Sequence, residues 1–271
     1  MPPERLHSLR VAHLMILASV SLLTVIGLFM TMSATTIWAL TKNLNPYQVG
    51  LSQAGYALAG AVVGAILAHT HRLLGRAVAW MAFAVTLILQ ALAQFTPLGL
   101  SEGGNRNWLD LGITRIQPSE FIKFGLALWL GSMLAIKKEA LTKWSELVVP
   151  GLIGIALGMG LVLKGDDAGT ALVIGLMAFG ALVLAGVPWS KLAVLAGSLA
   201  AVAAVVVIAA PHRLNRLLVA INPEVCEELA DQCWQIRQAE YSLATGGWFG
   251  AGLGASRGKW SYLSEAQSDF I

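Results

Sequence analysis

Read from its first residue, the chain is a succession of long apolar runs separated by short polar segments. A helix needs about 20 mainly apolar residues to cross a bilayer, whose hydrocarbon core is about 30 Å thick. Seven runs meet or approach that length: 12–32, 49–68, 75–96, 121–136, 147–163, 169–185 and 191–210. The fourth, fifth and sixth are the shortest and are expected to tilt or to be interrupted. Gly60-x-x-x-Gly64 and Gly154-x-x-x-Gly158 put small residues on one helix face, where neighbouring backbones can approach closely. The pattern predicts an all-α, polytopic transmembrane bundle over 12–210, followed by a long polar loop over 211–271.

Composition agrees. Of 271 residues, 56% are apolar and 12% charged, against about 25% charged in soluble domains. Disorder is excluded by the same figures. A net charge of +3 without a basic stripe argues against nucleic acid as a partner. Arg5 and Arg10 precede the first run, and no small-residue cleavage site directly follows it, so the first helix is expected to stay in the membrane.

Loop charge sets the expected orientation. With the N-terminus in the cytoplasm, the inner segments carry Arg5, Arg10, Arg72, Arg76, Lys137, Lys138, Lys143 and Lys191, against Glu4, Glu139 and Glu146. The final loop then lies outside. Trp38, Trp80, Trp144 and Trp189 fall near span ends, where indoles favour the headgroup level, and Trp129 alone falls well inside a predicted span.

Three outer segments hold the candidate chemistry. In 101–123, Pro118 suits a first helical turn and Glu120 its positive end. Lys123 follows just inside the span, where it either snorkels outward or faces a polar cavity. Together with Arg106 and Arg115 it would suit a pyrophosphate. In 164–170, Asp167 either caps the next helix or, with Asp166, serves catalysis or a metal. Beyond Pro211 come Arg213 and Arg216, then Cys226 and Cys233, which are a disulfide or two thiols. A short interfacial helix is expected over 234–244.

Some motifs fail on inspection. Gly258-Lys259 lacks the P-loop's earlier glycine (Leu253 stands there) and is followed by Trp260. Gly250-Ala-Gly-Leu-Gly254 follows no strand, against a dinucleotide fingerprint. His69-Thr-His71 has too few companions for a metal site.

Taken in order, these segments resemble the SEDS family of polytopic peptidoglycan glycosyltransferases. The resemblance runs from about Leu28 to Ile271. It rests on Asn105-Arg-Asn-Trp-Leu-Asp-Leu-Gly, Arg115-Ile-Gln-Pro-Ser-Glu-Phe-Ile-Lys123, Asp167-Ala-Gly-Thr170, Gln235 and Gln238 with Gly246-Gly247, and Tyr262-Leu-Ser-Glu-Ala-Gln-Ser-Asp-Phe-Ile271. Asp166 and Ser264 stand where the family usually has proline, and Gln267 where histidine is common. The Asn-rich 104–108 stretch is closer to the family's cell-division subgroup than to its elongation subgroup. The family fold has ten spans, so the chain is expected to be a C-terminally truncated single domain, 1–271.

The resemblance implies polymerisation of lipid II into glycan strands on the outer face of the bacterial cytoplasmic membrane, at the division septum. It makes Asp269 the catalytic base. Arg106, Arg115, Lys123, Arg213 and Arg216 would bind pyrophosphate, with Glu120, Asp167, Gln235, Lys259 and Glu265 in support. A divalent cation, Mg or Mn, is a candidate cofactor. A class B penicillin-binding transpeptidase (FtsI-like) and other divisome proteins are the implied partners. The competing readings are a lipid II flippase, an elongation-type glycosyltransferase and a structural scaffold of the division machinery.

Overall fold

The computed structural model describes residues 3–70, 75–102, 104–112, 115–136, 141–222, 230–252, 255, 257–260, 262–263 and 266. Among them, helix α1 (Pro3–Thr41), α2 (Gln48–His69), α3 (Arg76–Phe95), α4 (Pro118–Ile136), α5 (Trp144–Leu147), α6 (Ile153–Lys164), α7 (Ala168–Leu184) and α8 (Trp189–Ile208) account for the seven apolar runs. Among the described residues six stretches are long and apolar enough to cross a membrane: Arg10–Thr41, Gln48–His69, Arg76–Phe95, Pro118–Ile136, Trp144–Lys164 and Trp189–Ile208. The remaining run forms α7, only 17 residues long. That is about 25 Å of helix, a little less than the hydrocarbon core. Asp167 caps its start and Gly186, at φ 80°, turns the chain beyond its end.

Helix α1 continues well past the expected 12–32. Its polar residues do not stop it, because Thr35 and Thr36 donate to the carbonyls of Thr31 and Met32 one turn back and no proline interrupts the run before Pro46. The fifth span is interrupted, as its length suggested. Pro150 has no N–H to continue a helix, and the preceding Val149 takes the extended conformation that a proline imposes (φ −113°, ψ 120°). The five residues Val148–Leu152 form a kink there that joins α5 to α6.

The chain folds as two compact units, Met1–His69 with Asn215–Ile271, and Thr70–Leu214. In the first, α2 packs on α1 through Gly50, where an added Cβ would lie 2.9 Å from Met32 Cγ. Gly60 and Gly64, expected to line a close helix contact, face open space among the described residues. The α1–α2 contact sits at their linked ends instead, because the short 42–47 connection brings those ends together first. Leu14, Leu23, Leu58 and Ile66 are all largely exposed, as lipid-facing side chains should be.

The second unit holds the larger core. On α4, Ile122, Leu126, Trp129, Leu130 and Met133 are buried, an i, i+3, i+4 stripe that lies against α3, α6 and α7. The Trp129 ring stacks on Phe83 at 4.7 Å and meets Trp80 edge-on at 5.3 Å. Gly154 leaves room for that indole, since a Cβ there would strike it, and Gly158 faces Ile122. This small-residue face therefore does what its spacing predicted.

Between α3 and α4 lies the clearest departure from an all-helical chain. Strands β1 (Gly99–Glu102), β2 (Asn105–Asp110) and β3 (Arg115–Ile116) form an antiparallel sheet in the order β1-β2-β3. Leu100 pairs with Trp108, Leu109 with both Gly99 and Ile116, and Asp110 with Arg115. A polar loop held against a bundle must satisfy its own backbone groups, and a small sheet does so. Residues alternate along β2, with Asn107 and Leu109 buried.

Candidate functional site

Consecutive spans run in opposite directions, so the end of α3, the start of α4, the α6–α7 turn and the end of α8 fall at one end of the second unit. Hydrogen bonds join most of these parts. The Arg106 N–H of β2 donates to the Gly165 carbonyl in the α6–α7 turn at 2.9 Å. Arg213, just beyond α8, donates to the Asp166 carbonyl at 2.8 Å and lies 3.8 Å from its carboxylate. Asp166 itself holds a left-handed conformation (φ 63°).

Beneath this surface lies a buried amide cluster. Gln90 and Asn107 are fully buried and Gln94 nearly so. Gln90 and Gln94 both donate to Asn107 Oδ1, and Gln94 also donates to the Arg106 carbonyl at 2.6 Å. Gly165 closes the cluster from above, because a Cβ there would collide with Asn107 Oδ1 and Gln94 Nε2. These glutamines were missed in the sequence. Their signal was two amides one helical turn apart inside an apolar span, where an unpaired amide costs several kcal/mol.

Asp167 is buried and accepts the Thr170 N–H at 2.9 Å, so it caps α7. Lys123 pairs with Glu120 at 2.7 Å on the first turns of α4, with Ser119 fully buried beside them. Arg106 donates to the Ala93 and Thr96 carbonyls at 3.3 and 3.0 Å, capping the end of α3. Arg213 does the same for α8 through Val206. Each guanidinium has five donors, so a capping role does not exclude phosphate. Arg115 lies in β3 with its side chain exposed. Lys164 stands over the Phe95 ring at 5.0 Å.

In the first unit, Gln235 is half-buried on α10 (Ala230–Gly246), a helix longer at both ends than the expected 234–244. Cys233 is fully buried and disulfide-bonded. Lys259 lies in a 3₁₀ turn, Arg257–Lys259, and donates to Ser33. Arg213 and Arg216 fall on helix α9 (Pro211–Ile221). Asp269, Glu265, Cys226, His71, Arg72, Lys137 and Lys138 lie outside the described residues. Of the inner-loop cations, Lys191 is buried, with Nζ 3.3 Å from the Leu141 carbonyl and 4.9 Å from the Trp144 ring centre.

The motifs that sequence placed far apart thus share one end of one unit: the 105–110 strand, the 164–170 turn and Arg213. Residues 13–271 match the FtsW/RodA/SpoVE family, described as cell cycle proteins. The chain belongs to this family. Among its relatives, a Mycobacterium tuberculosis protein named "Probable peptidoglycan glycosyltransferase FtsW" is 31% identical over 95% of the chain and 49% of its own length. Stage V sporulation protein E of Bacillus subtilis is 30% identical over 95% of the chain and 70% of its own length. A chain from a peptidoglycan synthase complex, solved to explain how polymerization and crosslinking are coordinated, superposes with a TM-score of 0.55. It is 26% identical, over 80% of this chain and 63% of that one. The chain spans about half the length of the mycobacterial relative. The family and the polytopic helical fold expected from the sequence both stand.

Proposed function

We propose that the chain works as a peptidoglycan glycosyltransferase of the division type, joining lipid II units on the outer face of the cytoplasmic membrane. The observation that carries this reading is the hydrogen-bonded junction of β2, the α6–α7 turn and Arg213. It gathers cations and helix termini at one end of an apolar bundle, the arrangement that a lipid-anchored pyrophosphate requires. The N-terminus is then cytoplasmic and the junction exoplasmic.

In the proposed reaction the acceptor sugar's 4-hydroxyl attacks the donor's anomeric carbon. A C–O bond forms, the bond to pyrophosphate breaks, and undecaprenyl pyrophosphate leaves with the electron pair. Asp269 takes the hydroxyl proton. Lys123 and Arg115, with Arg106, Arg213 and Arg216, offset the charge that develops on the leaving group. Glu120 holds Lys123, while Asp167 shapes the start of α7; Gln235 and Glu265 are assigned supporting roles. Among the described residues no three His, Cys, Asp or Glu side chains converge, and the capping bond of Asp167 uses only its Oδ1. A divalent cation, Mg or Mn, stays a candidate cofactor, and none of these steps runs through it. A class B penicillin-binding transpeptidase would crosslink the product, by analogy with the synthase complex.

The test is polymerisation of labelled lipid II by the full-length protein with its transpeptidase. Asp269→Ala should abolish product while leaving expression intact. Lipid II scrambling across liposomes without polymer, unaffected by Asp269→Ala, would overturn the reading in favour of a flippase.

A further inference from the structure

We infer that Lys259 is a positioning residue, whose ammonium fastens the chain leading into the terminal motif to helix α1. The role rests on the reading of Asp269 given above, since Asp269 follows ten residues later, in the motif that begins at Tyr262.

The Lys259 ammonium lies 3.0 Å from the Ser33 carbonyl oxygen and 3.2 Å from its hydroxyl, across 226 residues of sequence. Lysine heads usually remain in water while the stem packs. This one is partly desolvated and rests on neutral oxygens, and burial lowers its pKa below the ordinary lysine value. Such a position persists only where the surroundings hold it. They do so from the other side: Gly258 sits against α10 so closely that a Cβ would lie 2.6 Å from Ser242 Oγ. The 3₁₀ turn is thus gripped between α1 and α10. The grip extends onward, because the Leu263 N–H donates to the Gly258 carbonyl at 3.0 Å and both Leu263 and Ala266 are buried.

A lysine that bound substrate directly would need its donors turned towards a ligand, whereas both hydrogen bonds of Lys259 go to Ser33. Among the described residues two of its three donors are taken in this way, and the contribution inferred from them is geometric. Displacements of about 1 Å at a reacting group can lower a rate about a hundredfold, so a loose 257–266 segment should depress kcat more than it raises KM.

The experiment is hydrogen exchange at the Leu263 amide together with lipid II polymerisation, both on the full-length protein. Lys259→Met should raise exchange at Leu263 about tenfold or more and lower kcat about tenfold or more, with KM within about twofold. Lys259→Arg should restore much of both. Gly258→Ala, which pushes the turn off Ser242, should loosen Leu263 in the same way, and Ser242→Ala should rescue it; this arm serves if Lys259→Met does not fold. Unchanged exchange in both variants overturns the tether. Faster exchange with unchanged kcat, or a rise in KM alone, overturns the positioning role. If the wild type makes no polymer the functional reading falls, while the exchange result still decides whether Lys259 holds the segment.

Discussion

Gln94 on α3 donates a 2.8 Å hydrogen bond to the Asn107 side chain on β2. That bond, with its neighbour from Gln90, seats the strand carrying Arg106 on the helix before it. Deleting one partner strands buried amide groups, at about 1–3 kcal/mol each. Asn107→Ala should therefore lower the melting temperature clearly. Gly165→Ala should also destabilise, by about 1–3 kcal/mol, because its methyl enters the same space. In a double-mutant cycle the two should be less than additive, since Asn107→Ala removes the oxygen that the new methyl would strike. Strict additivity would mean that Gly165 does not seal the cluster.

Asp167 bridges structure and proposed chemistry. As the α7 cap it accepts from Thr170 N–H, and Asn accepts equally well at such a position. Asp167→Asn should melt close to wild type, whereas Asp167→Ala should lose about 1 kcal/mol. Thermal unfolding in detergent separates the two. If Asp167→Asn folds normally yet loses polymerisation, the carboxylate charge has a role that capping does not supply.

Glu120 and Lys123 form a partly exposed pair one turn apart. Such pairs contribute about 0.2–1 kcal/mol. Glu120→Gln should leave stability almost unchanged. Lys123→Ala should reduce glycan synthesis about tenfold or more if its charge faces the leaving group. Normal turnover in Lys123→Ala would leave the lysine a snorkelling residue.

The Lys259 amine adds a pH dependence of known sign. Burial holds its folded-state pKa below the ordinary value of 10.5, so the unfolded chain binds this proton more tightly. The desolvation penalty is in full force where the amine is charged in both states. It fades as pH rises through the folded pKa towards 10.5. The melting temperature of the wild type should therefore gain on that of Lys259→Met as pH rises within that window. A constant difference would contradict the desolvation.

Much of the fold was legible because lipid imposes a length rule that apolar runs reveal directly. The break in the fifth span was readable from its length, and Pro150 supplies the cause. The Asp167 cap was readable because a carboxylate two residues before Gly169 matches what a helix start requires. The β1-β2-β3 sheet was not. Its strands are short, and its pairing depends on a loop having to satisfy its own hydrogen bonds near the bundle.

Sequence by itself determined the membrane class, the approximate positions of the apolar helices and which charged residues lie between them, because hydropathy and charge are local properties. Tertiary structure decided which of those residues meet. Gln90, Gln94 and Asn107 form one cluster, Arg213 reaches Asp166 from 47 residues away, and Lys259 reaches Ser33, because helix packing sets distances that sequence separation does not encode.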